Sequence, residues 1–168
     1  MATTHLVSVE EYLRSAYEPD AEYVEGRILL RSVPQKPHSK MQGYLDRTLY
    51  ALAHPLGYEV WVEQRLRTQP DPAHYRVPDV CVTLGEPAEN IFTEPPFLCA
   101  EILSPDDTAL DVRTKVDEYL AFGVAYVWVI DPRKRKGTVY TAKDSITPED
   151  GILRTGNPEI ALPLADLF

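Results

Sequence analysis

The sequence predicts a mixed α/β (α+β) fold, a mixed sheet flanked by helices, on three observations. An apolar run, Phe97 to Leu103, is followed by a helical pattern over Asp111 to Phe122 and then by a nearly continuous apolar run, Val124 to Ile130. Strand, helix, strand at these lengths suggests a crossover between parallel neighbours, right-handed by the usual rule. The 168 residues fit one domain, 1–168, large enough for a sheet core with helices on it.

The elements can be taken in order. Ser8 with Glu11 three residues later reads as a capping box, starting a short helix through Tyr12 and Leu13. Glu22 to Leu30 reads as two short strands about the Glu25-Gly26 turn, since glycine is the easiest residue to place at positive φ. From Ser39 to Ala53 the residues Met41, Tyr44, Leu45, Thr48/Leu49 and Leu52 recur at helical spacing, and His54-Pro55-Leu56-Gly57 ends the pattern. Tyr58 to Thr68 alternates, with Tyr58, Val60, Val62 and Leu66 on one face and Glu59, Trp61, Glu63, Arg65 and Arg67 on the other, which predicts one half-exposed strand.

Gln69 to His74 reads as a loop, Val77 to Leu84 as a strand rich in β-branched residues, and the proline-rich Gly85 to Pro96 as a second loop. The buried strand Phe97–Leu103 stops at Ser104-Pro105. Thr108 caps the second long helix, which carries Val112, Val116, Tyr119 and Leu120 on one face and ends at Gly123. Val124–Ile130 ends at Asp131-Pro132, and Thr138-Val139-Tyr140 is its expected partner across a basic turn.

Composition excludes several classes. Hydrophobic content of 44% and charged content of 26% are those of a folded globular protein. Cys81 and Cys99, each among apolar residues, read as buried free thiols rather than a disulfide or zinc ligands. The N-terminus, Met1 to His5, lacks the basic and apolar regions of an export signal, and no run reaches the roughly 18 apolar residues that span a bilayer, so a cytoplasmic protein with no membrane partner is expected. The net charge of -9 disfavours a protein that coats DNA with a basic surface. A hydrolase holding divalent ions needs carboxylates and is compatible with it.

Two acids stand out. Glu101 lies in the middle of Phe97–Leu103, and Asp79 after Pro78 opens the apolar Val80-Cys81-Val82. A buried carboxylate costs several kcal/mol unless a cation or a dense set of donors offsets it. Parity puts Val77, Asp79 and Cys81 on one face of their strand, and Phe97, Cys99, Glu101 and Leu103 on one face of theirs. If the strands pair, both carboxylates point to one spot, a set that suits Mg²⁺. Lys115 lies three residues after Val112, at the margin of the buried helical stripe, and can lean toward the sheet. Each residue alone has an ordinary reading: Asp79 as a loop end, Glu101 in any salt bridge, Lys115 paired with Asp111.

Pro78-Asp79, then Glu101-Ile102-Leu103-Ser104-Pro105, then Asp111, Lys115, Tyr119 and Gly123-Val124 through Tyr126-Val127-Trp128-Val129-Ile130-Asp131-Pro132 resembles the Uma-two-like family of putative restriction endonucleases, a bacterial branch of the PD-(D/E)xK nuclease superfamily. Glu22-x-x-Glu25-Gly26, His38 and the closing Leu162-Pro163-Leu164-Ala165-Asp166-Leu167-Phe168 match the same pattern. The resemblance implies a restriction-endonuclease-like core and hydrolysis of nucleic-acid phosphodiesters, DNA first, dependent on Mg²⁺ or Mn²⁺. Asp79 and Glu101 would ligate the metal, with the Ile102 backbone carbonyl as a further ligand and Glu22 as a candidate third carboxylate. The superfamily signature puts lysine two residues after the acid, where this chain has Leu103, so Lys115 would serve from the helix. A homodimer, cutting both strands, is the default assembly.

The remaining cations are candidate nucleic-acid contacts. His38 reads as a donor beside the metal ligands, as a phosphate contact, or as a surface histidine near a helix end. Arg133-Lys134-Arg135-Lys136 forms the dense basic cluster of the chain, which reads as a solvated hairpin tip or as a grip on a phosphate backbone, and Arg65 and Arg67 share an expected strand face. Two rivals stand beside the endonuclease: a catalytically inactive nucleic-acid-binding or assembly module of the same fold, and a metal-dependent phosphoesterase acting on small phosphorylated substrates.

Overall fold

The computed structural model describes residues 6–167. Met1–His5, read above for an export signal, and Phe168, at the end of the closing motif, lie outside the described residues. Ser8 caps α1 (Val9–Arg14) by accepting the Glu11 N–H at 3.1 Å. β1 (Ala21–Val24) and β2 (Arg27–Leu30) join through Glu25 and Gly26, both at positive φ (50° and 86°), the geometry of a two-residue hairpin turn. α2 (Lys36–Ala53) begins before the predicted Ser39, with Pro37 in its first turn, where a missing N–H is tolerated. A 3-10 turn over His54–Leu56, closed by Gly57, follows it.

The single strand predicted from Tyr58 to Thr68 is two strands in two sheets. β3 (Tyr58–Val62) ends where Glu63 enters the left-handed region at φ 52°, and β4 (Leu66–Pro70) starts beyond it. Alternation runs straight through this break, so periodicity alone passes over it. Val62, expected on the buried face, is 44% exposed. The loop predicted over Gln69–His74 is also corrected: β4 turns at Asp71-Pro72 into β5 (Ala73–Arg76), making a hairpin.

β6 (Val80–Leu84) starts after Asp79 rather than at Val77. β7 (Leu98–Ile102), α3 (Ala109–Phe122) and β8 (Tyr126–Asp131) form the expected strand, helix, strand unit, with Thr108 accepting the Asp111 N–H at 3.1 Å as N-cap. β9 (Lys136–Tyr140) is longer than the predicted partner strand. β10 (Ser145–Ile146), β11 (Ile152–Arg154), β12 (Ala161–Pro163) and a 3-10 turn over Leu164–Leu167 lie in a polar, turn-rich stretch whose sequence carries little periodic signal.

The main sheet has the order β10-β9-β8-β7-β6-β3, with β7 and β8 parallel and the other neighbours antiparallel. Its two faces are both buried. Met41, Leu45 and Leu49 of α2 cover Val80, Val82, Leu98, Ala100, Trp128 and Ile130, while Val116 and Tyr119 of α3 belong to the opposite cluster with Cys81, Cys99, Val127 and Val129. Burial on both faces explains why β7 and β8 read as continuous apolar runs. Cys81 and Cys99 are register partners and free, and burial pushes both thiols well above the usual range. A second sheet, β2-β1-β5-β4, carries Glu22 and Arg76. Among the described residues no helix is long and apolar enough to cross a membrane.

Gly123 closes α3 at φ 112°, and a Cβ there would meet the Pro95 ring at 3.2 Å. Gly123→Ala should therefore cost about 2 kcal/mol in backbone strain and crowding, lowering Tm by roughly 4–8 °C. Thermal denaturation checks this.

Candidate active site

The strand pairing brings the two acids together at one end of the sheet. Asp79 sits just before β6, whose register with β7 runs Val80↔Ala100, Cys81↔Cys99 and Val82↔Leu98. Past Val80 the ladder gives way to a side chain: Asp79 Oδ2 accepts the Ile102 N–H at 2.7 Å, so the acid is tied to the residue next to Glu101. Glu101 turns to the α3 face, where Lys115 Nζ donates to Oε2 at 2.9 Å and the Tyr119 hydroxyl donates to Oε1 at 2.7 Å. Lys115 does not pair with Asp111; its second partner is Glu22 Oε1 at 3.0 Å.

Glu22 reaches the same place from β1. Its Oε1 also accepts the Val77 N–H at 3.0 Å, and its Oε2 pairs with Arg76 Nη1 at 3.0 Å. Arg76 in turn binds Glu118 Oε2 through Nη2 at 2.6 Å, and Glu118 also takes the Thr68 hydroxyl. Asp79 Oδ1 is held from two sides, by Arg31 Nη2 at 2.6 Å and by His38 Nε2 at 3.3 Å. His38 is thus a buried residue of the first turn of α2, not a surface histidine, and its Nδ1 is buried with no hydrogen-bond partner among the described residues.

Electrostatics follow from this crowding. Burial pushes the Glu101 carboxyl up and the Asp79 and Glu22 charges push it further, outweighing Lys115, so that it reaches about 7. Burial also opposes ionisation of Asp79 and Glu22, but for Asp79 the His38 hydrogen bond and charge, Arg31 and the Ile102 N–H win, and for Glu22 Lys115, Arg76 and the Val77 N–H win, holding both below the usual range. Burial disfavours the Lys115 ammonium, yet Glu101 and Glu22 more than compensate and keep it protonated. The Asp79 hydrogen bond raises His38.

Because the folded Glu101 pKa lies above its ordinary 4.5, its contribution to stability is complete below that value and disappears as pH rises through about 7. In metal-free protein, Glu101→Gln should melt several degrees above the parent near pH 8, with the gap closing by about pH 5. Paired thermal melts in chelator test this sign.

These groups line one cleft of about 1030 Å³, bounded by β1, β2, the start of α2 and the loop after β7. Glu22, His38, Asp79, Glu101, Ile102 and Lys115 all face it; Arg65, Arg67 and Arg133–Lys136 do not. Arg65 falls between β3 and β4, with its guanidinium 4.8 Å from the centre of the Tyr12 ring and 3.6 Å from Asp20, so it does not share a strand face with Arg67, which is exposed on β4. Arg133–Lys136 follow β8 at the same end of the sheet, since Ile130 pairs with Ile102, and Asp131 Oδ1 fastens their turn through the Arg133 and Lys134 N–H groups. Sequence reading passed over Arg31, Arg76 and Tyr119 as site residues. Arg76 had a visible signal, a cation in the apolar run Tyr75-Arg76-Val77 like the acid in Phe97–Leu103.

Among the described residues no group of three or more His, Cys, Asp or Glu side chains converges as a ready chelate. The carboxylates instead face protein donors: Asp79 against Arg31 and His38, Glu101 against Lys115. A pair of carboxylates with a backbone carbonyl nearby nonetheless fits Mg²⁺, which takes one or two carboxylates and fills its octahedron with water and phosphate oxygens. The cleft walls carry nine acidic side chains against three from Lys and Arg, an excess of negative charge that repels a polyanion.

Residues 9–166 match the Uma2 family, described as "Putative restriction endonuclease". The chain belongs to this family. A crystal structure of a putative nuclease belonging to DUF820 from Anabaena variabilis ATCC 29413 is similar at TM-score 0.82 and 28% identity, over 96% of this chain and 97% of that one. The Uma2 fold here is accordingly restriction-endonuclease-like, a mixed α/β architecture. No curated protein matches the chain. In this Uma2 member Leu103 stands two residues after Glu101, and the ammonium beside Glu101 belongs to Lys115 of α3.

Proposed function

We propose that this protein is a divalent-metal-dependent endonuclease that hydrolyses phosphodiester bonds of nucleic acid, DNA in the first place. The observation that carries the reading is the meeting of Asp79, Glu101 and Lys115 in one cleft of a nuclease-family fold. Asp79 and Glu101 would hold Mg²⁺ or Mn²⁺, with the Ile102 carbonyl as a further ligand and Glu22 at the rim of the shell. When bound, the ion would supply charge neutralisation at the phosphate and a more acidic water.

The chain's own groups divide the remaining work. Lys115 keeps its proton between Glu22 and Glu101, so it serves as a donor that orients the water or neutralises charge on the phosphate, not as the base. Tyr119 fixes the Glu101 rotamer through its 2.7 Å hydrogen bond. A cytosolic homodimer, each copy acting on one strand, belongs to the same reading.

A second reading has one observation in its favour: the Asp79 carboxylate is saturated by Arg31, His38 and the Ile102 N–H, the state expected of an inactive binding or assembly module. Plasmid, single-stranded oligonucleotide and mononucleotide substrates incubated with Mg²⁺, Mn²⁺ or chelator separate the possibilities. The endonuclease predicts metal-dependent nicking of plasmid that chelator abolishes. Release of phosphate from mononucleotides alone would move the assignment to a small-molecule phosphoesterase, and inertness toward all three would favour the silent module.

A further inference from the structure

We propose that Arg31 is a resident counter-cation of the metal site, which a divalent ion displaces from Asp79 and which then serves as a contact for the substrate phosphate. The inference rests on the metal-dependent reading above and adds a residue and a sequence of events to it.

Three observations carry it. First, Arg31 Nη2 holds Asp79 Oδ1 at 2.6 Å, and the opposite oxygen is already taken by the Ile102 N–H, so an ion can use Asp79 Oδ1 only if the guanidinium gives way. Secondly, Arg31 has somewhere to go. Its Nη1 already lies 3.2 Å from Glu63 Oε1, a half-exposed carboxylate set at the left-handed φ of 52° where β3 leaves the sheet. Gln42 Nε2 fastens Glu63 from α2, donating to its Oε1 at 3.3 Å and to the Asp79 carbonyl at 3.2 Å. Thirdly, the arginine lies in the wall of the acidic cleft, following directly on exposed Leu29 and Leu30 of the β2 edge strand, which line the same cleft.

Charge makes the order of events one-directional. Without an ion, Asp79, Glu22 and Glu101 require cations, and Arg31 supplies one by direct contact with Asp79 and by its field at the other two. With an ion on Asp79 the guanidinium is surplus to the carboxylates, remains tethered by Glu63, and presents free donors in the fork geometry that matches a phosphate. Metal binding thereby converts a self-neutralised, polyanion-repelling cleft into one with an available arginine.

The test compares the parent with Arg31→Gln and Arg31→Lys, their folding checked by thermal melts. Mn²⁺ affinity is read by calorimetry, and binding of a labelled duplex oligonucleotide is read at saturating Ca²⁺. Arg31→Gln should bind Mn²⁺ at least about ten-fold tighter, since losing one charge-assisted hydrogen bond removes that much competition, and should bind the oligonucleotide about ten-fold more weakly. Arg31→Lys, which keeps the charge, should return Mn²⁺ affinity toward the parent value. A merely structural arginine would weaken both ligands together. Unchanged or weaker Mn²⁺ binding in Arg31→Gln, or unchanged oligonucleotide binding, overturns the inference while leaving the metal site standing. A parent that takes up no Mn²⁺ removes the metal reading and this inference with it.

Discussion

Asp79→Asn should abolish Mn²⁺ binding and reduce phosphodiester hydrolysis by about 10³-fold or more, the effect of losing several kcal/mol of charge stabilisation at the phosphate. Asparagine keeps the shape and leaves an oxygen for Arg31 and His38, so the fold survives in outline. It replaces the other oxygen with an amide that faces the Ile102 N–H donor to donor, and it removes the charge opposing Arg31. Thermal stability of the metal-free protein should therefore fall as well, by about 1–3 kcal/mol. Calorimetry with Mn²⁺ separates the two consequences, because a variant that is only destabilised still takes up the ion below its melting temperature.

Arg76→Ala should have the largest effect on stability, about 3–5 kcal/mol. Arg76 is buried between Glu22 at 3.0 Å and Glu118 at 2.6 Å, and its removal leaves two carboxylates in the interior without their shared cation. The expected drop in Tm is roughly 10 °C. Adding Glu118→Gln to Arg76→Ala should recover part of the loss, because one of the two carboxylates left without their cation then loses its charge as well. Denaturant unfolding of the single and double variants measures this, and additive losses would show that the pair is not coupled. Since Glu22 also accepts from Lys115, freeing it from Arg76 should disturb the ammonium beside Glu101.

How far this site can be read in advance depends on where each residue's partner lies. Glu101 is visible in the sequence because a carboxylate interrupts an apolar strand, and Lys115 because it borders a helical stripe of fixed period. The β7, α3, β8 unit is visible for the same reason: continuous apolar runs and the Thr108 and Gly123 caps are local signals. Arg31 and Tyr119 carry no such signal. Arg31 follows the end of a short exposed strand and Tyr119 lies among apolar helix residues, and each acquires its role only when β6 and β7 set Asp79 and Glu101 beside it. The break at Glu63 is invisible for a related reason: a non-glycine residue at φ 52° leaves the alternation of its neighbours intact. His38 sits at the margin, since its helix could be predicted but its burial against Asp79 depends on how α2 packs on the sheet.

The central claim is that Asp79 and Glu101 together hold a divalent cation with Lys115 beside it. A crystal soaked in Mn²⁺, with anomalous diffraction recorded at the manganese edge, tests it most directly. The expected result is an anomalous peak in ligand contact with both carboxylates, with Arg31 withdrawn from Asp79 toward Glu63. A peak elsewhere, or none at a Mn²⁺ concentration that saturates the protein in solution, would contradict it.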